Sequence, residues 1–142
     1  MKKPFKIIAI SILLIGFVSC SQTHPPSKET SISEQENIFI DLDADVFKTK
    51  IEKGDGTLLD VRTLGEIKSG KIKGAKHIDY YSSDFISQVS ELDKKKPVYL
   101  YCASGGRSGG AMLKMKSLGF TELYNLNGGI GAWKKSGYPT IK

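Results

Sequence analysis

Between Ile38 and Pro139, five short apolar runs alternate with five segments of helical character. The runs are "IFIDL", "GTLLDV", "AKHID", "PVYLY" and "TELYNL". They are short enough for strands, and Pro97 to Tyr101 is rich in β-forming residues. The segments between them read differently. "DADVFKTKIEKG" offers an Asp cap, apolar Val46, Phe47 and Ile51, and a glycine stop at Gly54. "LGEIKSG" suits one helical turn. "SSDFISQVSELDKKK" predicts a helix capped by Ser82 or Ser83, with Phe85, Ile86, Val89 and Leu92 on one face. "GGRSGGAMLKMKSLGF" starts with glycine and continues as a helix through Met112, Leu113, Met115 and Leu118. "GGIGAWKKSGYP" gives a last short helix around Trp133. Such alternation specifies an α/β fold: a central parallel sheet of about five strands with helices on both faces. Ligands in these folds gather outside the carboxyl ends of the strands. Cys102 follows one strand and precedes a helix, so it falls in that place. Asp60 and Arg62 end an earlier strand and are expected at the same rim.

The chain has 142 residues, enough for one domain with a core. Its N-terminus reads as an export signal. "MKKPFK" is basic, and Ile7 to Val18 is an apolar run shorter than the ~20 residues of a membrane span. Ser19 and Cys20 follow directly. The arrangement resembles a bacterial lipoprotein signal, although Phe17 stands where Leu is usual. Residues 1–19 are then the signal peptide, and Cys20 is the lipidated N-terminus of the mature protein. Residues 20–37, polar and containing Pro25-Pro26, form a flexible tether, and residues 38–142 form the domain. The expected location is a bacterial membrane, with the protein exported, lipid-anchored and facing the periplasm. Half of the formal charge of +6 comes from Lys2, Lys3 and Lys6 in the signal. The other lysines are scattered, so a solvated surface is expected and no nucleic-acid partner.

With Cys20 carrying lipid, Cys102 is the only free thiol of the mature chain and has no internal disulfide partner. It opens the loop "CASGGRS". A thiol near its reference pKa of ~8.5 is only a few per cent thiolate at neutral pH, so a reactive one needs its anion stabilised. The loop offers three sources. Backbone N–H groups of Ala103, Ser104, Gly105, Gly106 and Arg107 can form a nest around the sulfur. The following helix aims its positive end at the loop. Arg107 adds a cation, and Ser104 and Ser108 add hydroxyl donors. No histidine base is needed. Two reactions suit this arrangement: attack on phosphorus in a phosphate ester, and attack on sulfur to give a persulfide. The C-x4-R loop is one residue shorter than the C-x5-R loop of cysteine phosphatases, and the smaller ring better suits a lone sulfur atom.

Three blocks then carry a resemblance. "LLDVRTLGEIKSGKIKGAKHID", "VYLYCASGGRS" and "LYNLNGGIGAWKKSGYP" resemble, in order and spacing, the motifs of the rhodanese family, specifically a single-domain sulfurtransferase. Lys71 stands where the family usually has His, and Lys73 replaces a common Pro. Leu64 and Gly65 stand where Pro and an acidic residue are frequent. The resemblance implies that Cys102 takes a sulfane sulfur from a donor such as thiosulfate and passes it to a thiol acceptor, with cyanide as the assay acceptor. It implies that Arg107 helps bind a small anionic donor and that Asp60 pairs with Arg62 or supports the loop. No cofactor or metal is expected. The alternative is a non-catalytic rhodanese module for partner binding or redox sensing through Cys102. His77 reads as core packing or a satisfied hydrogen bond, Trp133 as core, Gly128 and Gly129 as the turn into the last helix, and Tyr80 and Tyr81 as candidates to line the cleft.

Overall fold

A computed structural model describes residues 36–142. The signal, Cys20, His24 and nearly all of the tether lie outside the described residues. Five strands form one parallel sheet: β1 (Ile38–Leu42), β2 (Thr57–Asp60), β3 (Lys76–His77), β4 (Val98–Tyr101) and β5 (Glu122–Leu126). Their order is β1-β5-β4-β2-β3, which puts β4 at the centre. Five helices connect or follow them: α1 (Ala44–Ile51), α2 (Leu64–Ile67), α3 (Phe85–Ser90), α4 (Gly106–Ser117) and α5 (Gly129–Lys135).

The pleat of β4 explains the two layers. Val98 and Leu100 point to one face, and Tyr99 and Tyr101 to the other, all four buried. On the first face they meet Phe85 and Val89 of α3, Ala111 and Met115 of α4, and Cys102. On the second face lie Ala44 and Phe47 of α1 and Ile130 and Trp133 of α5, and the rings of Tyr99 and Tyr124 stack at 5.1 Å. Parallel strands covered on both sides bury consecutive residues, which is why β4 reads as an unbroken β-rich run.

Each helix buries a narrow stripe rather than all of its apolar residues. In α1 the buried positions are Ala44 and Phe47, and Val46 is exposed. In α4 they are Ser108, Ala111 and Met115, and Leu113 faces water. Both follow the three-to-four-residue spacing of one helical stripe, from which Val46 and Leu113 are displaced. Ile86 leaves its expected face for the same reason. Neither Ser82 nor Ser83 caps α3. The cap is Asp84, and the Ser82 hydroxyl instead accepts from the Asp84 amide in a preceding turn. The helix also stops at Ser90 rather than continuing through the lysines. Asp93 turns the chain by accepting from the Lys95 amide, and Pro97 disfavours helical geometry at Lys96. The strand expected at "AKHID" shortens to two residues because β3 is an edge strand paired only with β2.

Candidate active site

Cys102 leaves the carboxyl end of the central strand. The chain turns through Ala103 and Ser104, and Gly105 with φ +96° delivers it into α4. That dihedral favours glycine, and it lets the Gly105 amide turn back to donate to Cys102 Sγ at 3.1 Å. No side chain caps α4, so its first amides stay free to face the sulfur. Cys102 is only 1% exposed, on the side of the sheet that packs against α4.

Burial by itself pushes the thiol pKa up. The Ser108 hydroxyl and the amides of Ser108, Ser104 and Gly105 outweigh it, and the pKa ends below its ordinary value. The Gly105 amide bonds the sulfur directly, and the amides of Ser104 and Ser108 favour its anion. Ser108 has one hydroxyl proton and two acceptors. With the thiol neutral it donates to the Gly105 carbonyl at 3.1 Å; an anionic sulfur competes for it.

The Gly105 carbonyl is itself held by three donors. Besides Ser108 these are the Gly109 amide at 2.9 Å and Asn125 Nδ2 at 3.2 Å. Asn125, buried on β5, also donates to Asp41 on β1 at 2.8 Å. A second support comes from the turn before α5. Gly128 and Gly129 both have positive φ, and the amides of Ile130 and Gly131 donate to the carbonyls of Cys102 and Ala103 at 2.8 and 3.2 Å. A Cβ on Gly129 would stand 2.5 Å from the Cys102 carbonyl oxygen. The two glycines do make the turn into the last helix as expected, and they also allow the active loop to sit directly against it.

Asp60 and Arg62 form the expected pair, fully buried, with Arg62 Nη2 2.6 Å from Asp60 Oδ2. Burial opposes the charge on Arg62, and the bonds to Asp60 outweigh it, so its pKa is raised. The pair does not touch the sulfur. Arg62 donates to the carbonyls of Gly70 and Glu66, fixing α2 and the segment after it. His77 donates from Nε2 to the Arg62 carbonyl at 2.7 Å, a satisfied hydrogen bond as expected. Trp133 is core, with its Nε1–H on the Pro139 carbonyl at 2.9 Å.

Arg107 has a partner from another element. Its guanidinium is gripped by Glu66, at 2.7 Å from Nη1 and 2.5 Å from Nη2. Glu66 in turn completes a capping box with Thr63, accepting from the Thr63 amide at 3.0 Å and its hydroxyl at 2.8 Å. The Arg107 bonds, against a smaller effect of burial and with help from Thr63, bring the Glu66 pKa down to about 2. Glu66 likewise raises the Arg107 pKa. Of the two candidate cleft tyrosines, Tyr80 packs on Phe85, while the Tyr81 ring is exposed and 5.6 Å from the Arg107 guanidinium carbon.

A family model for the rhodanese-like domain matches residues 43–136. The chain belongs to the rhodanese-like family. An uncharacterized protein of Bacillus subtilis is 37% identical over 99 residues, covering 70% of this chain and 75% of that protein. A protein named sulfurtransferase from Allochromatium vinosum is 36% identical over 87 residues, 61% of this chain and 79% of its own length. Among solved structures, a rhodanese-related protein of Thermoplasma volcanium superposes with a TM-score of 0.64 at 28% identity, covering 72% of this chain and 98% of that one. The rhodanese-like fold expected from the three sequence blocks is thus the fold observed.

Two predictions follow from the loop's supports. Gly129→Ala is expected to lower unfolding stability by about 3 kcal/mol or more, from backbone strain plus a clash with the loop. Gly54→Ala, with comparable φ but open space around it, is expected to cost only about 1–2 kcal/mol. Urea denaturation of both variants compares them. Ultraviolet titration of the Cys102 thiolate is expected to give a midpoint below that of an unfolded cysteine peptide. The lowered pKa means the anion persists as pH falls through the ordinary thiol range; Ser108→Ala is expected to move the midpoint upward.

Proposed function

We propose that the protein is a sulfurtransferase that moves a sulfane sulfur from a donor such as thiosulfate to a thiophilic acceptor, through a persulfide on Cys102. The observation that carries this reading is the Cys102 sulfur itself: buried, hydrogen-bonded by the Gly105 amide and seated at the start of α4. A residue so little exposed is accessible to a slender terminal atom far more readily than to a tetrahedral phosphoryl group. The family membership and the sulfurtransferase relative support the same reaction class.

The chemistry closes without a side-chain base. The Cys102 thiolate attacks the outer sulfur of thiosulfate. A Cys102–sulfur bond forms, the sulfur–sulfur bond of the donor breaks, and sulfite leaves with the bonding pair. The amides of Ser104, Gly105 and Ser108 then face the loaded persulfide, in a site where fixed donors act without reorganising water. An acceptor thiolate, or cyanide, attacks the terminal sulfur, and Cys102 departs as the thiolate it began as. Both steps begin and end with the sulfur as an anion, so the cradle serves throughout.

Export and anchoring belong to the same proposal. Cys20 would hold the domain at a bacterial membrane by its lipid, with residues 21–37 as the tether, so that sulfur transfer takes place outside the cytoplasm.

Cys102→Ser is expected to abolish thiosulfate-to-cyanide transfer while leaving the fold intact, and mass spectrometry after donor treatment is expected to find one added sulfur on wild-type Cys102. A folded wild type that accepts no sulfur from several donors would point instead to a binding or redox-sensing module; loss of phosphate-ester hydrolysis in Cys102→Ser would identify a phosphatase. Fractionation of expressing bacteria tests the anchor: Cys20→Ala is expected to move the protein from the membrane to the soluble fraction.

A further inference from the structure

Glu66 is the unexpected member of the site. It sits on α2, 41 residues from Arg107 in the chain, and grips both terminal nitrogens of the loop's only cation. The capping box with Thr63 fixes the carboxylate, and Arg62 fixes the Glu66 carbonyl. The charge of Arg107 is therefore matched before any donor arrives. At the mouth of the loop, one guanidinium faces one carboxylate and, in the reactive state, one thiolate. Asp79 adds a further carboxylate on the side of Tyr81. Arg107 then offers a dianion no unmatched charge.

The rim beside this pair sets two large exposed side chains among polar ones, including Ser82 and Gln88. Tyr81 is 69% exposed and Leu64 68%. Both line a cavity of about 440 Å³ together with His77, Ile78 and Asp79. The Tyr81 ring also lies against the Arg107 guanidinium, which links the cavity wall directly to the loop. Two large exposed side chains, adjacent to a neutralised arginine, supply contact area for a carbon skeleton rather than for an oxyanion.

We infer that Glu66 and Tyr81 select an organic sulfane-sulfur donor, a persulfide or thiosulfonate with a hydrophobic substituent, over inorganic thiosulfate. This rests on the sulfurtransferase reading and narrows its donor. The substituent lies on Tyr81 and Leu64 while its terminal sulfur enters the loop. With an organic persulfide, the Cys102 thiolate attacks the outer sulfur. The Cys102–sulfur bond forms, the donor's sulfur–sulfur bond breaks, the organic thiolate leaves, and the proton stays on the transferred sulfur. Glu66 touches neither donor nor sulfur; it is a positioning residue that acts through Arg107.

The test compares benzenethiosulfonate, a monoanion with a ring, against thiosulfate in the wild type, Glu66→Gln and Tyr81→Ala. The readout is the ratio of the two kcat/KM values, since the donors differ in intrinsic reactivity. Glu66→Gln keeps the side chain's shape and is expected to shift the ratio toward thiosulfate by about 5- to 10-fold, mainly through the thiosulfate KM, as removal of one nearby negative charge requires. Tyr81→Ala is expected to shift it the same way by about 5-fold, through the loss of ring contact. A second measurement needs no variant. Added salt screens repulsion, so the wild-type KM for thiosulfate is expected to fall as ionic strength rises, with benzenethiosulfonate changing less. A thiosulfate KM that rises with salt, or a donor ratio unmoved in both variants while Cys102 still loads sulfur, overturns the assignment of Glu66 and Tyr81 alone. Failure of either donor to load Cys102 in the folded wild type overturns the sulfurtransferase reading with it.

Discussion

A sulfur anion withdrawn from water has to be held by something other than water. In this domain the replacement is a few main-chain amides and one hydroxyl, gathered where the central strand hands over to α4. Burial and hydrogen bonding act on Cys102 in opposite directions, and the balance falls on the side of the anion. Every other feature of the site keeps those donors in place. The strand β4 sets the position of the thiol, Gly105 provides a backbone angle that other residues rarely adopt, and the unfilled start of α4 leaves its amides available.

The supports divide into two groups with little overlap. Asn125 and the Gly128–Gly129 turn hold the loop from the β5 side, by direct bonds to its carbonyls. Asp60 and Arg62 act from the β2 side, through α2 and the segment after it. Between them stands the pairing of Glu66 with Arg107, the bond that ties α2 to the loop. A buried ion pair such as Asp60 with Arg62 is costly to break because either partner alone would be left charged and unsolvated. It therefore serves as a rigid base for the segment that carries the less buried pair of Glu66 with Arg107.

Much of this could be read in the chain itself. The five strands, their parallel arrangement and the location of Cys102 follow from alternating local patterns, which depend on neighbours in sequence. The glycine-rich loop is legible for the same reason: cysteine, turn and helix start are contiguous. Pairs made across the fold are not. The capping box at Thr63 and Glu66 is a visible pattern, yet nothing local says that the same carboxylate also meets Arg107. Asn125 looks like an ordinary strand residue until the sheet order brings β5 beside β4. Val46 and Leu113 are apolar yet stand off the buried stripes of α1 and α4, because burial follows angular position on the helix and not hydrophobicity alone.

The three donors on the Gly105 carbonyl have a mechanical meaning. A peptide plane whose oxygen is fastened by α4, by a serine hydroxyl and by an asparagine from a neighbouring strand cannot rotate unless all three let go together. That plane leads into α4, so the first turn of the helix is fixed to β5. The entry into the helix is thereby locked to the sheet as the chain folds.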